Sequence, residues 1–568
     1  MESLMQFIDK INGVLWDNSV LYILLGVGVL FTVWTVLGQY KALTHGVAVI
    51  RGVYDRKDDP GAINHFQALS AALSATVGLG NIGGVAIAIA LGGPGAVFWM
   101  WIVGFFGMAI KMTEVTQSML FRNTDDPDNP HGGPMWVASV GLAKFHPALK
   151  PLGIFIGGVF CITLLISTIT GGNMFQSWNV AEVTEMNFGV PGAVTGVILA
   201  VLVGLVIVGG IKRIGAVAGR LVPFMCAIYL LMGLVVILMT IDQLPGAFAA
   251  IFKGAFNPTE GQNAFVGGTV GYAFLMGMKR ALFSNEAGQG SAPIAHSAAK
   301  TDEPAREGVV AGLGPFIDTI VVCTMTALVI IMSGAWNRTP EGTHESTAIT
   351  YSLVDEGWTI STPPLPEGES WREGSEKVYC VLEASDGSSR ERLTGNVTLV
   401  DDAFIVDWNT SDSFKEQPKM LDNGVYANLP GASLTSHAFD RIIPESGRWL
   451  VTLAAWLFAI STMISWSYYG EQGIVFLLGN WAVLPYKVIY CLLAVVATVG
   501  IITTDAALDA LTGLGTGVML FANVPIMLIF GYASMKVYHK YIARLKAGKF
   551  PKHDAPSIED VVSGHDVE

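Results

Sequence analysis

The chain has 568 residues, 52% of them hydrophobic and only 14% charged, with a formal net charge of −13 and a mean hydropathy of +0.51. Apolar residues fall in long blocks, and about 20 mostly apolar residues make one bilayer crossing, so an ordinary soluble domain is excluded. Four of the five cysteines (Cys161, Cys226, Cys323 and Cys491) lie inside apolar blocks and Cys380 stands alone in a polar stretch, so no disulfide framework is available.

In chain order, about eleven membrane spans are expected, near 19–40, 64–91, 95–121, 152–182, 190–210, 220–241, 264–299, 307–333, 447–479, 482–503 and 508–535. The first apolar block, Val20 to Leu37, lacks a basic leader and a small-residue cleavage site and reads as a retained helix. Basic residues cluster in alternate connections: Lys41, Arg51, Arg56 and Lys57; Arg122, Lys144 and Lys150; Lys212, Arg213 and Arg220; Lys300 and Arg306; Lys487; Lys536, Lys540, Arg544 and Lys546. The other connections carry Glu182, Glu185, Asp242, Glu260 and Asp505. The positive-inside rule then puts the amino terminus outside a cell (plasma or inner) membrane and the carboxyl terminus in the cytoplasm.

Residues 334–446 interrupt the pattern with 19 Asp and Glu against 8 Lys and Arg, so that −11 of the net charge sits in this one segment. It would lie outside the membrane, between spans eight and nine. KVYCVLEA (377–384), LTGNVTLV (393–400) and AFIVDW (403–408) read as short strands joined by turn residues. Both a small β-rich cap and a partly ordered acidic loop fit that composition.

Two spans should be broken. Span two contains SATVGLGNIGG (74–84), with four glycines inside seven residues, each costing about 1 kcal/mol relative to alanine in a helix. Span seven contains LFSNEAGQGSAPIAH (282–296), which combines Asn285, Glu286, glycines and Pro293. Unwinding is expected near 76–81 and 283–290. With the first helix set aside, spans two to six and seven to eleven form two groups of five, each opening with its broken span and starting from opposite sides. Paired breaks in inverted halves point to a transport site at the membrane midplane. Half-helix N–H groups suit a carboxylate and freed carbonyls suit a hard cation.

The expected organisation is an extra helix and cytoplasmic loop (1–63), a first repeat (64–241), a second repeat (264–333 with 447–535), the insert (334–446) and a cytoplasmic tail (536–568). Gly78, Gly80 and Gly83 spell a dinucleotide fingerprint, but no strand–helix–strand unit surrounds them. No Walker motif occurs, and the histidines lack metal-ligand spacing. Lys279 and Arg280 are expected to pair with Glu286 or face the cytoplasmic mouth, and Lys111 with Glu114 within one helix. His296 reads as a satisfied helix-end residue, and Asp318 as a gating or helix-pairing group.

GGPGAVFWMWIVGFFG (92–107), LFSNEAGQGSAPIAHSAAK (282–300), HGGPMW (131–136) and ISWSYYGE (464–471) closely resemble the recurring blocks of the alanine or glycine:cation symporter family. The resemblance spans 64–333 and 447–535, and the insert departs from the family's compact pattern. It implies an all-α polytopic fold of the leucine-transporter type, a five-plus-five inverted repeat with two broken helices. It also implies import of a small neutral amino acid, alanine or glycine, coupled to Na⁺ by alternating access. Carried over by residue, it implies that the N–H groups of Leu79 and Gly80 hold the substrate carboxylate. Carbonyls of Thr76, Phe283 and Ser284 face its amino group, with Asn81 and Asn285 beside them. Gln176 supplies an amide, and Trp466 with Phe283 caps the side-chain pocket. The implied cation shell is the carbonyls of Ser74, Val77 and Phe458 with the hydroxyls of Ser461 and Thr462, a set without a carboxylate that suits a monovalent ion. The expected partners are the amino acid, Na⁺ and the lipid bilayer, with no nucleic acid and no cofactor beyond the coupling ion. H⁺ in place of Na⁺, a channel or an amino-acid sensor on the same fold, and the oligomeric state stay open.

Overall fold

The computed structural model describes residues 2–564 apart from 57, 127–129, 258–264, 266–269, 355–356, 369–370, 388 and 501–504. Among them, six helices are long and apolar enough to cross a bilayer: Gly95–Phe121, Pro147–Phe188, Gly210–Met239, Pro304–Met332, Gly447–Leu478 and Asp509–Lys546. Two further spans arise if each bent pair counts once, Phe7–Leu15 with Asn18–Trp34 (43°) and His65–Thr76 with Gly80–Gly92 (52°). The expected spans 190–210 and 482–503 are helical but shorter, Gly192–Ile207 and Asn480–Val496, and span seven divides after Asn285. Length and apolarity therefore give six to eight crossings where the sequence suggests eleven. Parts of spans seven (264, 266–269) and ten (501–503) lie outside the described residues. Exposed helix surfaces carry Val197, Val201, Leu205, Leu231, Leu238, Leu484 and Val488, as expected where hydrocarbon is the solvent.

Short helices at Glu2–Leu15, Pro134–Phe145, Leu244–Phe256 and Ala432–Asp440 were not foreseen. The insert holds a five-stranded antiparallel sheet in the order β1-β7-β4-β5-β6, plus a hairpin of β2 and β3. These are β1 Gly342–Thr343, β2 Thr350–Val354, β3 Gly357–Ser361, β4 Gly374–Glu383, β5 Arg390–Val400, β6 Ala403–Trp408 and β7 Lys419–Ala427. The three expected strands fall on β4, β5 and β6, the first running one residue past the end of β4. Alternate residues of β5, Leu393, Gly395 and Val397, are buried, the period of two that lets one sheet face cover a core. That core includes Val378, Cys380, Leu382, Trp408 and Val425.

The stretch 334–446 is two structures rather than one. Its β part closes at Ala427, while Ala432–Asp440 is a helix whose Leu434 and Phe439 belong to the main core of the helical body. The sheet is tied down as well. Lys377 pairs with Glu182 at 2.6 Å and Arg392 Nη2 donates to the Ala90 carbonyl at 3.1 Å.

Candidate functional site

The helix His65–Thr76 ends because Val77 leaves helical geometry (φ −82°, ψ 84°), and the chain re-enters a wide turn at Gly80–Gly84. A break at this depth leaves backbone groups that side chains must satisfy. Asn81 Oδ1 accepts from Gly78 N at 2.9 Å, and Gln176 Oε1 accepts from Leu79 N at 3.1 Å. The Leu79 N–H, expected to face a carboxylate, is thus spent on Gln176, whose Nε2 donates to the Gly171 carbonyl at 3.0 Å.

The second break falls slightly later than expected. Phe283, Ser284 and Asn285 are still helical, and the chain departs at Glu286, with Glu286, Gly288 and Gly290 at φ 55°, 84° and 82°. The helix end leaves carbonyls that other donors must meet. The Leu282 carbonyl accepts from Glu286 N at 3.0 Å and from Gln289 Nε2 at 2.7 Å, and Lys111 Nζ bonds the Asn285 carbonyl at 2.6 Å. The short helix Ala292–His296 follows. Each break is therefore closed by side-chain amides: Asn81 and Gln176 at one, Gln289 at the other.

The two breaks touch. Asn81 Nδ2 donates to Ser284 Oγ at 2.8 Å and to the Asp318 carbonyl at 3.1 Å. Between the breaks lies a small cavity of about 10 Å³, lined by Thr76, Gly80, Gln176, Phe283 and Trp466 among the expected residues. Asn81, Ser284 and Asn285 are buried behind that lining; Asn81 and Ser284 join the two breaks, and Asn285 Oδ1 accepts from Ala287 N within the second. Phe283 is wedged between glycines. A methyl on Gly80 would come within 3.0 Å of its ring, and one on Gly171 within 3.1 Å. Trp466 lies closer still on Gly172, where an added methyl would approach to 2.4 Å.

Ser167, Gly171, Glu286, Gln289 and Thr516 also line the cavity and went unassigned in the sequence. For Gly171 the signal was present: TGGNM (170–174) is a third glycine pair inside an apolar helix, and it forms a wide turn. Glu286 and Gln289 stood in the family block without a role, and nothing marked Ser167 or Thr516.

Of the expected cation residues, Ser74 and Ser461 meet directly. Ser74 Oγ donates to the Ser461 carbonyl at 2.6 Å and Ser461 Oγ to the Ser74 carbonyl at 3.0 Å. Thr462 Oγ1 is buried beside Gly78 and has no partner among the described residues. Val77 caps the broken helix, and Phe458 sits one helical turn from Ser461 and Thr462, packed against Tyr229. The oxygen of Thr462 fits a cation better than an empty polar site, because an orphaned buried hydroxyl is costly.

Three charge expectations are corrected. Lys279 pairs with Asp509 at 3.3 Å, and Arg280 also bonds Asp509, so neither engages Glu286. Lys111 reaches across to Asn285, while Glu114 Oε2 accepts from Asn523 at 3.1 Å, so the two form no intrahelical pair. Side chains at this depth find partners on neighbouring helices, where orphaned carbonyls and amides are available. His296 is more than a helix end: Glu307 accepts from His296 Nδ1 at 2.5 Å and also bonds His65 Nδ1, with all three buried. Asp318 is fully buried, bonded by Thr319 Oγ1 at Oδ1, and its Oδ2 has no partner among the described residues.

Residues 1–360 and 415–555 match the sequence profile of the sodium:alanine symporter family. The chain is 35% identical over 487 residues to the sodium/alanine symporter AgcS of Methanococcus maripaludis, covering 86% of each protein. It is 30% identical over 557 residues to the putative sodium/proton-dependent alanine carrier protein YrbD of Bacillus subtilis, covering 97% of this chain and 95% of that one. It is also 37% identical over 337 residues to the probable sodium/glutamine symporter GlnT of Bacillus subtilis, covering 59% of this chain and 69% of that one. A crystal structure of MhsT in complex with L-phenylalanine aligns over 83% of this chain and 89% of that one, with TM-score 0.47 and 13% identity, a likeness on which nothing below rests. The chain belongs to the sodium:alanine symporter family: it is a multi-pass membrane protein, a cation-coupled amino acid symporter and not an enzyme.

Proposed function

We propose that the protein imports alanine or glycine with Na⁺ by alternating access between two inverted five-helix repeats, with the amino terminus and the insert outside the cell and the carboxyl terminus in the cytoplasm. The observation that carries this reading is the small cavity between the two breaks, walled by Gly78, Gly80 and Gly171 and closed by Phe283 and Trp466. Its polar end is backbone and amide, chemistry that suits a zwitterion, and Phe283 and Trp466 at its closed end favour a solute with a short side chain. Thr76, Gly80, Gln176, Phe283 and Trp466 face the solute, and Asn81, Ser284 and Asn285 hold the two breaks in register. Leu79 N–H exchanges Gln176 for the substrate carboxylate on binding. Na⁺ enters between Ser74, Val77, Phe458, Ser461 and Thr462, opening the hydrogen bonds that now link Ser74 to Ser461. One positive charge moving down an inside-negative potential supplies about 2.3 kcal/mol per 100 mV, close to a 50-fold solute gradient.

Uptake of labelled alanine into proteoliposomes tests the reading. A sodium gradient should drive accumulation, and glycine should compete while glutamine does not. Accumulation indifferent to sodium, or inhibited first by glutamine, overturns it.

A further inference from the structure

The first broken span is gripped at both ends. At its far end the Ala90 carbonyl accepts from Arg392 of the insert. At its start the backbone is zipped to the chain that follows the second break. Ala62 N bonds the Ala298 carbonyl at 2.8 Å, and Lys300 N bonds the Ile63 carbonyl at 2.8 Å. Arg122 crosses this seam. Its guanidinium donates to the Pro60 carbonyl on one side and to those of Ser297, Ala299 and Thr301 on the other, at 2.7 to 3.1 Å. A planar fork of five donors suits such a cluster of acceptors. Ala68, Ala72 and Ala75 of the first span share a buried cluster with Ala292 and Ala295 from beyond the second break, so the seam lies over closed packing.

The tail runs across both sides of the seam. Past the end of the long helix at Lys546, Phe550 is buried against Tyr541, Arg306 and Arg544. Arg544 Nη1 pairs with Glu303 Oε1 at 2.6 Å, and His553 N bonds the Val53 carbonyl at 2.9 Å. The helix Ile558–Ser563, capped by Ser557 on Asp560 N, then docks on the start of the broken span. Asn64 Nδ2 donates to the Val561 carbonyl at 2.8 Å, and Gln67 Nε2 to the Val562 carbonyl at 3.3 Å. A helix of six residues has no later turn for its last carbonyls, and these two amides meet them. Asn64 also starts the broken helix, its Oδ1 accepting from Gln67 N at 2.8 Å. One side chain therefore caps the span and holds the tail. The helix Gly210–Met239 completes the seat: a methyl on Gly219 would lie 3.2 Å from the Val562 carbonyl. Residues 556–564 lie outside the family match.

We infer that residues 547–564 are a strap that clamps the two broken spans shut at this end, and that it must let go before solute leaves the central cavity there. The inference rests on the transport reading above, in which this end faces the cytoplasm, and adds a releasable contact to the inward step.

The test reads the seam directly. Ala295→Cys in the purified full-length protein, or Ala72→Cys on the facing span, places a reporter thiol in the closed packing. The parent, with its buried or half-buried native cysteines, is the blank. Modification by a hydrophilic maleimide in sodium then measures opening at this end. Deleting 557–568 should speed it roughly tenfold, the shift expected when two hydrogen bonds are lost. Gln67→Ala, which keeps the Asn64 cap, should speed it roughly threefold, for one bond. Sodium-driven alanine uptake should persist in the deletion, because release no longer waits on the strap. A reporter rate indifferent to the deletion overturns the strap. So does a rise shared by the native cysteines, which means general loosening, and so does loss of uptake in the deletion alone. No sodium-driven alanine uptake by the parent overturns the transport reading, while the reporter rates still decide whether the tail clamps the seam.

Discussion

Thr462 and Gly78 are in contact so tight that a methyl group added to the glycine would lie 2.4 Å from the threonine Oγ1 and 3.2 Å from Gln176 Oε1. The proposed cation side and the proposed solute side thus meet at one glycine. Gly78→Ala should abolish uptake, because overpacking here costs about 1–3 kcal/mol and displaces both neighbours. Thr462→Val keeps the volume and deletes the unpartnered oxygen. The sodium concentration for half-maximal uptake should rise, with solute affinity recovering at saturating sodium through linkage. In the double variant Gly78→Ala with Thr462→Ala the 2.4 Å clash is gone and the nearest atom becomes Gln176 Oε1, at 3.2 Å, so folding should be largely restored and sodium response should not. Sodium titrations of binding check all three, and a Thr462→Val protein that responds to sodium like the parent would place the ion elsewhere.

Gln176 answers to a different measurement. Its amide closes the broken helix through Leu79 N and reaches back to the Gly171 carbonyl. Gln176→Ala leaves a buried N–H without its partner, about 1–3 kcal/mol, and solute affinity should fall roughly 5- to 150-fold. Sodium binding in the absence of solute should change little. Equilibrium binding with and without alanine separates the two, and an equal loss of both would assign Gln176 a purely structural part.

Glu307 is the shared acceptor of His65 and His296, three buried groups on three different helices. Removing one member of such a buried set costs about 3–5 kcal/mol. Glu307→Gln should therefore lower the thermal midpoint of the detergent-solubilised protein clearly. His65→Asn and His296→Asn should each couple to it by about 0.5–3 kcal/mol in a double-mutant cycle. Additive effects would mean that the carboxylate does not join the helices.

The insert can be removed at a defined seam. Gly342 pairs with Val425, and Ala427 N donates to Glu341 Oε2 at 3.0 Å, so the two ends of the β part lie side by side. A two- or three-residue bridge, roughly the shortest hairpin connection, in place of 342–426 should give a protein that still couples uptake to sodium. Extending the deletion through 440 also removes Thr435, which donates to the Ile82 carbonyl at 3.1 Å, and uptake should then fail. Loss of coupling in the shorter deletion, with surface expression intact, would give the sheet a part in the transport cycle itself.

The sequence made the breaks and their neighbours legible for a physical reason: glycine runs and side-chain amides are rare inside apolar helices, so SATVGLGNIGG and NEAGQG stand out at membrane depth. The family resemblance named Thr76, Gly80, Gln176, Phe283 and Trp466, which line one cavity, and turn signals marked three of the strands. The partners of charged residues were not legible. Asp509 meets Lys279 and Arg280 from 229 or more positions away, and nothing local distinguishes it from Glu286, which is near in sequence and turned elsewhere. The helix Ala432–Asp440 was hidden by its acidic surroundings, because average composition over 334–446 drowned nine residues with a buried face. Some expected crossings correspond to apolar helices shorter than a full bilayer span, as at Gly192–Ile207.

Ser74 and Ser461 exchange hydrogen bonds across 387 positions of chain. During synthesis the first broken helix is made long before its partner, and the whole sheet of the insert must emerge in between. Contacts so distant in sequence form late and slowly. The unwound turn at Val77–Leu79 therefore passes much of its biogenesis without the helix that covers it, held by earlier-made groups: first Asn81 on Gly78, then Gln176 on Leu79. Asn81 thus serves the nascent chain before it serves the finished one: it keeps the turn shaped until Ser461 arrives, and a chain lacking that amide should be lost to quality control during insertion rather than reach the membrane as an inactive carrier.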